Sequence, residues 1–100
     1  MKTVNVDMKF VVTGAQDLDR LTSQVFEELL NVEQSDPAIS NSGLQSELET
    51  GKVWIQLAAS SSDFSHATVT ASEAILRAIR ASSQDSVRFE LVEQNAAVAA

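Results

Sequence analysis

The chain has 100 residues, which suffices for one domain with a single hydrophobic core and is too short for two ordinary domains. Its formal net charge of -7 and isoelectric point near 4.4 oppose binding to nucleic acid and to anionic membranes. Cysteine is absent, which excludes disulfides and cysteine-ligated metals. Polar residues interrupt the N-terminal stretch too often for a signal peptide, and no apolar run approaches the roughly 18 residues of a membrane span. We therefore expect a cytoplasmic protein with no cofactor, no nucleic acid partner and no membrane partner.

The first third of the chain predicts a strand followed by a helix. Residues 3–13 alternate between apolar and polar side chains, which is the period of a strand with one buried face. From Asp17 to residue 34, apolar side chains recur every three or four residues, as on one face of an α-helix. Asp17 is placed to cap this helix, and Pro37 ends it because the residue before a proline avoids the α conformation.

The middle of the chain predicts a β-hairpin. Residues 38–48 form the weaker strand, in which Ile39 and Leu44 have opposite parity, so we expect a bulge at Gly43. Residues 53–59 alternate cleanly and form the second strand of the hairpin.

The last third predicts another helix and another strand. Apolar residues at helical spacing place the helix at 63–81, and residues 82–85 form its exit loop. Alternation returns at 87–92, where Phe89 and Leu91 are expected to face the core. The last six residues lack any pattern, so we expect a domain spanning 1–94 and a disordered tail at 95–100.

The predicted order of elements is strand–helix–strand–strand–helix–strand. Two β-α-β units of this kind, each with a right-handed crossover, give an α+β ferredoxin-like plait. In this fold a four-stranded antiparallel sheet carries both helices on one face, and the first and third strands are its central strands. The alternative is that the weak second strand does not form, which would leave an incomplete sheet. The fold hosts many functions and fixes none of them.

A small-ligand site is one hypothesis for the loop after the first strand. The order of elements resembles that of the small-molecule-sensing ACT domains, which use a glycine-bearing first loop near a dimer interface. The corresponding residues here are Thr13, Gly14, Gln16 and Asp17. The Pro-Gly-Leu type of run expected of that family is missing, and Gly14 also suits an ordinary turn.

The only histidine, His66, is the best candidate for catalysis. Asp63 precedes it by three residues, and Ser62 and Ser65 are close in sequence. A serine triad needs a base within hydrogen-bonding reach of an activated hydroxyl, together with oxyanion donors. Neighbours at the start of one helix rarely provide that geometry, so we interpret His66 as a surface residue and predict no catalytic residue and no metal ligand.

The acidic residues of the first helix are a second candidate group. Glu27, Glu28 and Glu33 are close in sequence. Acid–base pairs must face one another across a cleft, whereas these residues are expected on the solvated side of the helix or next to it.

Trp54 is the residue that most strongly indicates a binding surface. Its parity opposes that of the apolar residues of its strand, so it is expected on the open face of the sheet, in a central strand. An exposed tryptophan there predicts an interface, because tryptophan is enriched at binding hot spots. The expected interface residues are Trp54, Val11, Gln56, Ala58 and Val92. The alternative is that Trp54 lies half-buried over its neighbours with no partner.

These features leave three functional hypotheses. The preferred one is a non-enzymatic interaction module that forms a homodimer through the open sheet face and binds a protein partner. The second is a small-ligand sensor whose site lies near Gly14 between protomers. The third is an enzyme whose pocket is completed by oligomerisation.

Overall fold

The computed structural model describes residues 1–82 and 86–99. In chain order the elements are β1 (Lys2–Thr13), α1 (Leu18–Ser35), β2 (Ile39–Glu47), β3 (Lys52–Ser61), α2 (Phe64–Ser82) and β4 (Arg88–Val98). All strand pairs are antiparallel, and the four-stranded sheet has the order β2-β3-β1-β4. The ferredoxin-like plait is confirmed, with β1 and β3 at its centre. Within the described residues, neither helix is long and apolar enough to cross a membrane.

The hydrophobic core lies between the sheet and the two helices. Alternation along β1 and β3 directs one set of side chains toward the helices, and this set is almost completely buried. Small residues on α2, such as Ala71 and Ala78, let its backbone approach the sheet closely. The principal buried side chains are Val4, Val6, Met8, Phe10, Leu21, Val25, Leu29, Val53, Ile55, Leu57 and Ile75.

Both helices begin at an aspartate cap. The Asp17 carboxylate accepts a hydrogen bond from the backbone N–H of Arg20 at 3.1 Å, as predicted for the start of α1. The Asp63 carboxylate accepts one from the backbone N–H of His66 at 2.8 Å. These bonds satisfy N–H groups that have no partner within their own helix.

The second strand forms, so the alternative of an incomplete sheet is wrong. Its pairing with β3 shifts register between Ser40 and Gly43, where the bulge was predicted. Asn41 adopts a positive φ of 55°, a conformation that asparagine tolerates better than most residues.

The Glu33 carboxylate accepts hydrogen bonds from the backbone N–H and the hydroxyl of Ser42, at 3.1 and 3.3 Å. Glu33 is therefore not merely a solvated residue, because it ties α1 to the bulge.

The last strand is longer than the sequence pattern indicated. Residues 95–98 belong to β4, and the N–H of Ala99 donates to the carbonyl of Thr3 at 2.8 Å. The prediction of a disordered tail is therefore wrong for residues 95–99. The physical reason is that β1 has 12 residues, and its first half offers pairing partners to residues 94–98. Ser82 closes α2, while residues 83–85 of the predicted exit loop and Ala100 lie outside the described residues.

The helices leave much of β4 uncovered, since α1 lies over β2 and α2 lies over β1 and β3. Phe89 packs edge-to-face against Phe10, with 5.9 Å between ring centroids, and contacts the core as predicted. Leu91 is 45% exposed, so the expectation that it completes the core is wrong.

Candidate functional site

The face of the sheet opposite the helices has no covering layer among the described residues. We call it the open face. The registers of the three strand pairs place alternate residues of every strand on it. Its members are Thr3, Asn5, Asp7, Lys9, Val11, Thr13, Ser40, Gly43, Gln45, Glu47, Lys52, Trp54, Gln56, Ala58, Ser60, Arg88, Glu90, Glu93, Asn95 and Ala97.

Trp54 lies in a row of long polar side chains that crosses the sheet. Its neighbours in register are Gln45 on β2 and Lys9 on β1, and Glu93 follows on β4. The Lys9 ammonium lies over the indole, with Nζ 5.5 Å from the ring centroid. A cation at this distance is attracted to the face of the ring. Trp54 is therefore partly buried beneath a cation, as in the half-buried alternative, and it lies on the open face as parity predicted.

A concave trough runs over the middle of the open face. One depression of about 720 Å³ is lined in part by Trp54, Gln45 and Asn95. A second, of about 510 Å³, is lined in part by Asn5, Asn41 and Ser42. Both depressions include Asp7 and Gln56, so they form one continuous surface. Amide and carboxylate side chains line both depressions, which gives the trough both hydrogen-bond donors and acceptors.

Charges of both signs share the open face. Three cations, Lys9, Lys52 and Arg88, lie among the four acids Asp7, Glu47, Glu90 and Glu93. Opposite charges also lie side by side in register, as in the pairs Lys52–Glu47 and Lys9–Glu93. The face is therefore less one-sided in charge than the whole chain, whose formal net charge is -7.

The predicted companions of Trp54 are distributed unequally. Gln56 is exposed within the trough, and Val11 is half-buried on β1. Ala58 is completely buried, so it offers no area to a partner. Val92 is 50% exposed, but it belongs to β4, which β1 separates from β3. Trp54 and Val92 therefore lie on strands that are not neighbours in the sheet.

Several residues of the trough were not singled out from the sequence. Strand parity placed Lys9 and Asp7 on the open face, and this was the signal that could have identified them. Their position beside Trp54 and Gln56 depends on the register between β1 and β3, which parity alone does not give. Asn95 was missed because it was assigned to the tail.

The loop after β1 is built around Gly14. Its φ is +82°, and a Cβ there would collide with the carbonyl oxygen of Ser86. A depression of about 220 Å³ beside the loop is lined in part by Gln16, Asp17 and Arg20. The Asp17 carboxylate is engaged as a helix cap, and the exposed Thr13 ends β1. Gly14 thus has a structural reason to be glycine that needs no ligand.

His66 has a hydroxyl partner, although it is neither Ser62 nor Ser65. Its Nδ1 lies 2.6 Å from the Oγ of Ser61, the last residue of β3. Asp63 contacts the backbone N–H of His66 and caps α2. Both the histidine and this hydrogen bond are exposed, which agrees with the interpretation of a surface residue. In the described part of the chain, no three histidine, aspartate or glutamate side chains cluster as metal ligands.

Comparison with known proteins identifies the fold and no family. No protein family matches the sequence, and no curated protein matches it significantly. The structure is similar to that of a Chloroflexus aurantiacus J-10-fl protein with a provisional assignment as an antibiotic biosynthesis monooxygenase. That similarity has a TM-score of 0.60 and 17% identity, and it covers 98% of this chain and 93% of the other.

A second similarity is to part of a larger protein. AtUAH in complex with glyoxylate matches with a TM-score of 0.53 and 12% identity, over 97% of this chain and 28% of that chain. At these identities the two similarities establish the shared fold alone. Any function must be inferred from the residues of this chain.

Proposed function

We propose that this protein is a small non-enzymatic interaction module that self-associates through the open face around Trp54. The observation that carries the proposal is the position of Trp54, a partly accessible tryptophan in a central strand, on the wall of a concave trough. A large, rigid aromatic group in such a setting is typical of a binding hot spot. A cytoplasmic location and a further protein partner are part of the same proposal.

Self-association is supported by the mixed charges of the open face. In a two-fold symmetric contact, each copy presents the same surface, so a face of one sign would repel itself. Here Lys9 and Lys52 can approach the acids of a second copy, such as Glu90 and Glu93. Removing the indole and its covering cation from water would then bring them into an environment where their attraction is stronger.

The rival functions have less support in the geometry. A ligand site at the Gly14 loop would have to use a depression of about 220 Å³ in which Asp17 already caps a helix. An enzymatic role would have to use the exposed Ser61–His66 pair or the polar trough. If His66 were catalytic, His66→Ala would abolish turnover of any substrate found for this protein.

The test is native mass spectrometry of Trp54→Lys beside the wild type. Leu48→Lys is the matched control, because it places the same charge at an exposed apolar residue outside the open face. We expect Trp54→Lys to weaken the contact about thirtyfold or more, equivalent to loss of a hot spot of about 2 kcal/mol, and so to reduce the number of chains per assembly. The control should keep the wild-type assembly. Equal masses for Trp54→Lys and the wild type at every concentration would contradict the proposal.

A further inference from the structure

The outer edge of β4 carries main-chain groups that no other strand uses. The N–H of Ala99 donates to the carbonyl of Thr3, and pairing continues in steps of two through Ala97–Asn5 and Asn95–Asp7. In an antiparallel ladder, residues between such pairs direct their N–H and C=O groups away from the partner strand. Gln94, Ala96 and Val98 therefore point these groups outward, and β4 pairs only with β1 among the described residues. We call residues 94–98 the β4 edge.

The β4 edge lacks the features that usually keep a strand edge from pairing. Natural edges are protected by charged side chains, prolines, bulges or a covering element. Residues 94–98 read Gln-Asn-Ala-Ala-Val, with no charge and no proline. The register irregularity of β4 lies before them, opposite Lys9 and Phe10. By contrast, the other edge strand, β2, is interrupted by its own bulge in the middle.

The side chains beneath the β4 edge are also accessible. Val98 is 55% exposed, and Val69, on α2, is 52% exposed. The amide nitrogen of Gln94 donates to the hydroxyl of Ser72 at 2.9 Å, so this part of α2 lies beside this part of the strand. Val69 lies one helical turn from Ser72 on the same side of α2. The edge is thus bordered by apolar surface that an added strand would partly cover.

We infer that a second copy of this chain pairs with the β4 edge, antiparallel and related by a two-fold axis near Ala96. Outward-pointing residues must pair with outward-pointing residues, so Ala96 meets its own equivalent and Gln94 meets the second copy's Val98. On the open face, Asn95 then meets the second copy's Ala97. No two charges of the same sign lie opposite each other in this register, although each copy carries a net charge of -7.

This pairing joins two four-stranded sheets into one continuous sheet and leaves the open face free. It is therefore a second contact, distinct from the one around Trp54. A register shifted toward the start of β4 would bring Glu90 and Glu93 and the strand irregularity into the ladder, which disfavours it. The absence of charge from residues 94–98 is what selects a second copy over a charged foreign segment.

The test uses proline at Ala96 in the Trp54→Lys background, where the open-face contact is already removed. Ala96→Pro deletes an outward N–H and none of the hydrogen bonds between β1 and β4. We expect Trp54→Lys alone to be a dimer by native mass spectrometry, and Trp54→Lys with Ala96→Pro to be a monomer. Ala96→Ser, which keeps the N–H, should remain a dimer in the same background.

A second variant tests the same contact if the proline variant fails to fold. Val98→Glu changes a side chain that is already 55% exposed. In the proposed register it places a carboxylate opposite the uncharged Gln94 of the second copy, where strand pairing would partly remove the carboxylate from water with no cation opposite it. We expect it to weaken the Trp54→Lys dimer at least tenfold, with an unchanged melting temperature when both proteins are compared as monomers at low concentration. A monomeric Trp54→Lys protein, or dimers that persist with both Ala96→Pro and Val98→Glu, would overturn the inference. Failure of the open-face proposal appears separately, as equal masses for Trp54→Lys and the wild type.

Discussion

Lys9 and Trp54 are the two residues on which the open face depends most. Opposite each other in register on the two central strands, they hold an ammonium group 5.5 Å from the centroid of the indole ring. The pair keeps much of the indole from water in the isolated chain while leaving a charged and polarisable surface accessible. A half-buried tryptophan of this kind is compatible with a monomer in solution as well as with an interface in an assembly.

We predict that Lys9→Gln lowers the free energy of unfolding by about 0.5–1 kcal/mol, because it removes the cation from the ring. Lys52→Gln is the control, since it removes the same charge one row away on the open face. Denaturant unfolding at low protein concentration measures both variants without a contribution from assembly. Equal losses for the two variants would mean that the contact between Lys9 and Trp54 contributes no specific stability.

For individual residues, alternation along the sequence correctly predicted which side chains lie on the open face. Trp54, Gln56 and Lys9 all lie where parity put them. What parity could not supply was accessibility, because that depends on neighbouring strands and their registers. Ala58 shows the limit: it has the parity of Trp54 and is nevertheless completely buried.

Among the elements, β2 is a weak strand that hydrogen bonds from α1 help to stabilise. Its alternation is broken between Ser40 and Gly43, and its local pattern predicts little stability of its own. The Glu33 carboxylate on α1 compensates by accepting two hydrogen bonds from Ser42. The bulge could be predicted from the parity of Ile39 and Leu44. Its tie to Glu33 could not, because it is formed by residues nine positions apart on different elements.

We predict that Glu33→Ala lowers the free energy of unfolding by about 1–3 kcal/mol, because it leaves the part-buried Ser42 N–H without its acceptor. Amide hydrogen exchange at Ser42 should also accelerate. Glu27→Ala, at an exposed position on the same helix, is expected to change stability by no more than about 0.5 kcal/mol. If both variants were equally stable, the tie between α1 and the bulge would have no energetic role.

The last strand shows a case in which the local sequence pattern predicts too little structure. Residues 95–98 lack the alternation of bulky side chains that marks a strand, and alanine has a low strand propensity. They extend β4 because β1 supplies pairing partners from Val4 to Thr13. Tertiary pairing thus overrides the local signal here, and it creates an uncharged edge that the sequence pattern did not reveal.

For the whole molecule, the overall charge opposes self-association, whereas two local surfaces favour it. A net charge of -7 opposes the approach of two copies, whereas the open face mixes charges and the β4 edge carries none. The order of elements and the composition of the core could be predicted, because they follow from periodicity and right-handed crossovers. The surfaces that decide function depend on register and strand length, which are properties of the folded chain.

The most direct test of the central claim, that copies associate through the open face around Trp54, is a dilution series followed by tryptophan fluorescence. Trp54 is the only tryptophan, so its emission reports this face alone. As the protein is diluted, we predict that the emission maximum moves to longer wavelength while native mass spectrometry shows loss of chains, because the indole gains contact with water. An emission maximum that stays constant until only monomers remain would contradict the claim and place the contact elsewhere.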